Sequence, residues 1–237
     1  MERVLIRKLP KCEFHLHFEG AVPYSLLRER YPEKYAKIPA SWAPDFRFDD
    51  FDHFERDLLG YAEDWFTAPE DYHKAASVIF ADQLENNVRY LETSISSGCV
   101  ELGKMDLDEA AGKFIKAHAG EFDGPGFIRR AIRELAAGNI VLDICPWSNL
   151  KLGVVRSLAE HPLRALHDAG VKCTINRDDP VSFGTSLTDE YAAVAEEMGF
   201  TDEEVISLFR NGIETALVPE TRKKIWLDEL DKAAKGI

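Results

Sequence analysis

Short apolar runs alternate with helical stretches along this chain of 237 residues, and that alternation constrains the fold more than any other feature. Four runs are typical of buried strands and a fifth is possible: Cys12–Phe18, Val88–Ile95, Ile140–Cys145, Val171–Asn176 and, fifth, Phe114–His118. Strands that alternate with helices form parallel sheets, because a parallel connection needs a crossover segment. The pattern therefore predicts an α/β fold.

Helix signals fill the intervals between these runs. Apolar spacing predicts a helix over Phe51–Phe66, and Thr67 as N-cap predicts a second helix that runs to about Asn86. The capping box Thr201-Asp-Glu-Glu204 opens a further helix. We expect a single domain over residues 1–237, with residues 32–87 forming a helical excursion after the first strand.

The net charge and the hydropathy of the chain argue against some classes of binding partner. The formal net charge of −13 argues against nucleic-acid partners, which need a basic surface. No apolar run approaches the length of a membrane span, and the N-terminal residues lack a signal-peptide core, so we expect a cytoplasmic protein with no membrane partner. The four cysteines form no Cys-x-x-Cys motif, which favours reduced thiols.

Titratable side chains stand where the predicted strands end. His15 and His17 share one face of the first strand, because residues i and i+2 do so. His118-Ala-Gly-Glu121 and Asp178-Asp179-Pro180 follow later runs. Three histidines and a carboxylate can bind a divalent ion and leave one position for water. Each motif also has a plainer interpretation, since Asp-Asp-Pro is typical of a helix-capping turn and His-x-His of a polar strand end.

Taken together, four motifs resemble those of the adenosine and AMP deaminase family, and they occur in the family's order. They are Leu9–Gly20, Ala117–Glu121, Cys145–Gly153 and Asn176–Tyr191, and the resemblance spans residues 9 to about 220. It implies a (β/α)8 TIM barrel that holds one zinc ion per subunit at the carboxyl ends of its strands. The implied zinc ligands are His15, His17, His118 and Asp178.

The resemblance also implies a reaction, which is the zinc-dependent hydrolytic deamination of adenosine or a related 6-aminopurine nucleoside at C6, with release of ammonia. Glu121 would protonate the purine N1, and Asp179 would hold the attacking hydroxide and contact the purine. His17 would also contact the substrate, and Glu19 would lie on its ribose 5′ side. The expected partner is therefore a small-molecule purine nucleoside.

The chain departs from the family in two regions. The family's Arg-Ile-Gly-His-Gly strand, whose histidine assists deprotonation of the zinc-bound water, has no counterpart, and a β-α unit is absent near Leu135–Ala137. The stretch Ser96–Lys116 is also too short for the family's strand–helix units. Two or three strand units are thus missing from an eight-stranded barrel. Either segments of a longer chain are absent from this sequence, or it is a true deletion variant, which we expect to fold poorly and lack activity.

Several functions remain open. Adenine, aminodeoxyfutalosine and N6-methyl-AMP are alternative substrates, and a non-catalytic purine-binding paralogue would explain the absent histidine. A metal-dependent amidohydrolase of another class would need a carboxylated lysine or a second metal, and no sequence feature demands either. Trp147 and Arg177 hint at a nonstandard substrate pocket, although ordinary drift beside the site explains them equally well.

Overall fold

Parallel strand pairs flanked by helices make up the computed structural model, which describes residues 1–96, 141–168 and 170–235. Within these ranges one pair joins β1 (Lys11–Glu13) to β2 (Val88–Leu91), and the other joins β3 (Leu142–Ile144) to β4 (Cys173–Ile175). The predicted α/β class is therefore confirmed. The possible strand Phe114–His118 lies outside the described residues.

Helices occupy the intervals between the strands in the described ranges. They are α1 (Arg3–Lys8), α2 (Tyr24–Arg30), α3 (Phe51–Trp65), α4 (Pro69–Glu85), α5 (Pro146–Lys151), α6 (Leu163–Asp168), α7 (Pro180–Phe183), α8 (Leu187–Glu197), α9 (Asp202–Thr215) and α10 (Glu220–Ala234). None of the helices described is both long enough and apolar enough to cross a membrane.

The N-terminus of α4 differs from the predicted one by one residue. Ala68, and not Thr67, is the N-cap residue, because Pro69 forces the residue before it into extended backbone (φ −149°, ψ 155°). Thr67 still contributes, since its backbone N–H and hydroxyl both donate to Asp71 Oδ2, at 3.0 and 2.9 Å. The helix predicted over Phe51–Phe66 is confirmed as α3.

The chain that follows β1 runs between two other segments, and this arrangement positions the functional site. On one side, Ser94 N donates to Leu16 O, and Phe18 N donates to Ser94 O. On the other side, Asp178 N donates to His15 O, and His17 N donates to Asp178 O, each at 3.0 Å. Residues after β1 are therefore paired on both edges at the level where the histidines occur.

Two large groups of buried apolar residues stabilise these elements. Cys12 of β1 packs with Ile175 of β4 and Phe209 of α9. Farther along the chain, Leu16 and Phe18 belong to the second group, which includes residues of α3 and α4. The segment from β1 to Phe18 thus contributes to both cores, and this burial fixes the strand that carries the two histidines. The single domain over residues 1–237 stays a prediction.

Candidate metal centre

His15, His17 and Asp178 converge at the carboxyl ends of the strands. His15 Nε2 and His17 Nε2 each lie 3.2 Å from Asp178 Oδ1, and the candidate ligand atoms of all three residues lie within 4.8 Å of one another. The imidazoles are 44% and 48% exposed, whereas Asp178 is only 16% exposed. Two imidazoles and one carboxylate form a donor set that suits a borderline divalent ion such as zinc.

Asp178 reaches this position through an unusual backbone conformation. Its φ is +65°, in the left-handed region that costs a non-glycine residue about 1–2 kcal/mol. Aspartate tolerates this region better than most residues. Hydrogen bonds from Asp178 N to His15 O and from His17 N to Asp178 O hold the conformation, and they also place the carboxylate opposite the two rings.

Neighbouring hydroxyl groups orient the candidate ligands. Ser148 Oγ, in α5, donates to Asp178 Oδ2 at 2.8 Å, which leaves Oδ1 facing the imidazoles. Ser94 Oγ lies 3.1 Å from His17 Nδ1, so the other ring nitrogen, Nε2, faces Asp178. Partners of this kind fix the tautomer and orientation of metal-binding histidines.

Electrostatics couple these side chains in the metal-free protein. The hydrogen bond to Asp178 raises the pKa of His15, and the same interaction raises the pKa of His17 to about 9. Burial alone raises the pKa of Asp178, but the hydrogen bonds from the two histidines outweigh it and hold that pKa below its usual range.

Asp179 has a buried carboxyl oxygen without a partner among the described residues. The residue is 3% exposed, and its Oδ1 accepts no hydrogen bond there. It is the N-cap of α7, yet its side chain makes no capping hydrogen bond. Burial raises its pKa to about 8. Gly20 permits this close packing, because a Cβ at that position would lie 1.8 Å from Asp179 Oδ1. An unsatisfied buried oxygen beside three candidate ligands fits a metal centre.

Glu19 is buried and already hydrogen-bonded. Tyr72 Oη donates to its Oε1 at 2.9 Å, and Ser96 N lies 3.0 Å from Oε1 and 3.1 Å from Oε2. Burial raises its pKa. Glu19 therefore anchors the segment after β2, and its contact with a ribose stays a prediction. His118 and Glu121 lie outside the described residues, so their roles also stay predictions.

The sequence does not predict the buried ion pair between Glu13 and Arg177, which lie close in the chain to the candidate metal ligands. Both Nε and Nη2 of Arg177 donate to Glu13, at 2.7 and 2.8 Å. The side chain of Arg177 is therefore bound to Glu13 of β1. The sequence had hinted instead that Arg177 lines a substrate pocket. The sequence feature that points to a structural role for Arg177 is its position directly before Asp178.

A second cluster of candidate ligands, His167, Asp168 and Glu204, is also present among the described residues. Arg164 lies within it, with Nη2 2.7 Å from Glu204 Oε1 and 3.1 Å from His167 Nδ1. The guanidinium group supplies the positive charge there, which makes this cluster an ion-pair network.

Known proteins resemble this chain in sequence and in fold. Residues 133–233 match the family model for adenosine deaminase. An adenine deaminase from Sinorhizobium medicae is 38% identical over 143 residues, which is 51% of this chain and 44% of that protein. The N6-methyl-AMP deaminase from Arabidopsis thaliana superposes with a TM-score of 0.74 at 16% identity, over 100% of both chains. An amidohydrolase from Burkholderia ambifaria with bound Zn has a TM-score of 0.74 at 16% identity, over 99% and 94%.

These matches confirm the (β/α)8 barrel fold and bear on the missing strand units. The chain spans less than half the length of the adenine deaminase that it matches. The alignment has 143 positions but includes only 51% of the 237 residues of this chain, which is fewer than 143 residues. The relative therefore has residues within the aligned region that have no counterpart in this chain. This agrees with the strand units that are absent from the sequence.

Proposed function

We propose that the chain is a member of the adenosine deaminase-like family, and on that premise that it is a metal-dependent hydrolase of 6-aminopurines. In the reaction, water adds to C6, the C6–N bond breaks, and ammonia leaves. The observation that carries the proposal is the convergence of His15, His17 and Asp178 on one point. The two motifs that supply these residues are far apart in the sequence, since 161 positions separate His15 from Asn176, the first residue of the second motif.

His15, His17 and Asp178 would hold a zinc ion, with His118 as the fourth ligand that the family resemblance suggests. The donor set supports this assignment, and so does Asp179 Oδ1, which has no hydrogen-bond partner among the residues that the structure describes. A divalent ion at this site supplies a nucleophile at neutral pH, because it lowers the pKa of water to about 7. The relative from Burkholderia ambifaria was solved with bound Zn.

Two carboxyl groups would move and orient protons in the proposed mechanism. Glu121 would donate a proton to the purine N1, which makes C6 more electrophilic. Asp179 would accept a hydrogen bond from the attacking hydroxide and aim it at C6. Its buried position favours that role, since a water-excluded carboxyl group holds its orientation, and its Oδ1 has no partner in the described part of the chain.

Adenosine is the leading substrate, and adenine, N6-methyl-AMP and aminodeoxyfutalosine are alternatives. The curated relative from Sinorhizobium medicae is an adenine deaminase, and the Arabidopsis thaliana structure is of an N6-methyl-AMP deaminase. The net charge of −13 favours an uncharged purine over a phosphorylated one.

A second candidate function is binding of a purine without turnover. The specific observation that favours it is the absence from the sequence of the Arg-Ile-Gly-His-Gly histidine. In the family, that histidine assists deprotonation of the nucleophilic water. A chain without it keeps a metal and a ligand site but loses the catalytic step.

Release of the C6 amine tests the proposal, measured as ammonia from adenosine and adenine and as methylamine from N6-methyl-AMP. We expect zinc-loaded protein to release the amine from at least one of them, and Asp178→Asn and Glu121→Gln to lower that rate by about 100-fold or more. Saturable binding of a purine without release of the amine would favour the second candidate. Full activity of Asp178→Asn, or activity unchanged after chelation, would contradict a metal-dependent reaction.

A further inference from the structure

A buried ion pair connects the two segments that carry the candidate metal ligands. Glu13 is fully buried and Arg177 is 7% exposed, and the guanidinium binds the carboxylate through two nitrogens. Gln83 Nε2, from α4, donates to Glu13 Oε2 at 3.0 Å. The carboxylate therefore receives three donors from two different parts of the chain.

Each residue of the pair lies close in sequence to a candidate metal ligand. Glu13 is the last residue of β1 and lies two residues before His15 in the chain. Arg177 directly precedes Asp178, whose left-handed backbone is the least favourable conformation in the site. The contact between Glu13 and Arg177 therefore fixes the distance between the two chain segments that lead directly into His15 and Asp178.

We propose that the Glu13–Arg177 pair is a positioning device, which holds Asp178 in its left-handed conformation at a fixed distance from His15 and His17. The inference rests on the proposed metal site. Among the described residues, no hydrogen bond or ion pair joins Glu13 or Arg177 to the side chain of a candidate ligand, and each acts through the backbone that it anchors. Arginine suits the task because its planar fork binds a carboxylate with defined geometry, whereas lysine offers only a point charge.

Stability alone is a poor explanation for this pair. Burying two charges costs desolvation energy that their attraction offsets only partly, and apolar residues of similar volume often serve as well or better. A buried pair is better explained by the geometry that it imposes. Loss of that geometry loosens the ligand set, even where the chain still folds.

Zinc affinity of Arg177→Lys tests the proposal, with Arg210→Lys as the matched control. Arg210 pairs with Asp231 between α9 and α10, where both side chains are at least one-third exposed. Competition with a chromophoric chelator measures affinity, and urea unfolding in chelator measures the stability of the metal-free protein. We expect Arg177→Lys to bind zinc about tenfold more weakly, and Arg210→Lys to bind it as the unchanged protein does. Arg177→Lys with undiminished affinity would overturn the proposal.

Glu13→Gln provides a second variant, because it keeps the size of the side chain and removes the charge. Crystal structures of the metal-free variants give a readout that needs no zinc. We expect the His15 Nε2–Asp178 Oδ1 contact of 3.2 Å to be lost and φ of Asp178 to leave the left-handed region. If the unchanged protein binds no zinc, the proposed function fails, while these structures still decide the positioning role. Unaltered geometry in both variants would refute it.

Discussion

Asp178 combines three tasks in one residue. Its carboxylate faces both histidines, its backbone pairs with the segment after β1, and its φ of +65° is a conformation that few residues tolerate. Asparagine tolerates left-handed backbone about as well as aspartate but has no charge. We therefore expect Asp178→Asn to keep the fold and to lose zinc affinity by about 100-fold or more, as measured by chelator competition. Asp178→Ala would lose stability as well, because alanine tolerates this φ poorly.

Lys11 has a buried amino group whose role is structural. Its Nζ donates to Arg7 O, Leu9 O and Asn86 O, at 2.9, 3.0 and 2.7 Å, and so satisfies carbonyl groups near the ends of α1 and α4. We expect Lys11→Met to lower the free energy of unfolding by about 2 kcal/mol in urea titrations, because buried acceptors lose their donor. Lys172→Met, in an exposed pair with Glu214, is the control and should change stability by less than about 0.5 kcal/mol.

The pH dependence of the Lys11 contribution has a defined sign. Burial lowers the pKa of Lys11 to about 7 from an ordinary value of 10.5. Between those values the unfolded chain binds the proton and the folded chain does not, so stability rises with pH. The advantage of the unchanged protein over Lys11→Met should therefore grow from pH 7 to pH 10. A constant difference across that range would show that Lys11 keeps its proton in the folded state.

At the scale of elements, α7 depends on a close contact at its C-terminus. Gly184 has a φ of +68°, and a Cβ there would lie 2.3 Å from Trp42 Cγ. Trp42 cannot move freely, since its Nε1 donates to Val181 O at 2.7 Å. Gly199, with a φ of +70° and no atom within 4 Å of an added Cβ, is the matched control.

We expect Gly199→Ala to cost about 1 kcal/mol of unfolding free energy, which is the cost of the left-handed backbone alone. Gly184→Ala should cost about 1–3 kcal/mol more, because the added methyl group overpacks against Trp42. Urea unfolding of the two variants at one pH gives the difference. Equal costs would mean that the residues 40–42 turn shifts away from α7 without loss.

The sequence predicted helices better than strands. The start of α9 follows from its capping box, and the structure has both reciprocal hydrogen bonds between Thr201 and Glu204. The first strand was predicted over Cys12–Phe18 but ends at Glu13, because the Asn176 side chain accepts from Phe14 N and His15 N in place of a neighbouring strand. An apolar run does not indicate where such a side-chain contact ends the ladder.

The residues of the candidate site were predictable only where they belong to a sequence motif. His15, His17 and Asp178 belong to motifs, and the structure brings them together. The Glu13–Arg177 pair joins residues 164 positions apart, and no local pattern identifies which buried glutamate an arginine will meet. The sequence therefore predicts candidate ligands of the centre, whereas the contacts that orient them are visible only in the fold.

For the whole molecule, a bound ion should link distant parts of the chain. His15 and His17 follow β1, whose continuation packs into both large cores, and Asp178 follows β4. An ion that binds only the folded state stabilises it by about 2.7 kcal/mol at 100 times its Kd. We expect zinc at that excess to raise the Tm by about 5–10 °C in a chain of this size.

The Asp178→Asn variant decides whether that stabilisation arises at the proposed centre. Zinc should leave its Tm nearly unchanged, because the carboxylate that joins the two segments is gone. His167→Ala removes a member of the other cluster of candidate ligands, which already holds Arg164, and it should respond to zinc as the unchanged protein does. A zinc response that disappears in His167→Ala but survives in Asp178→Asn would place the ion between α6 and α9. Stability would then be linked to metal through a surface network, and the histidines after β1 would need a different explanation.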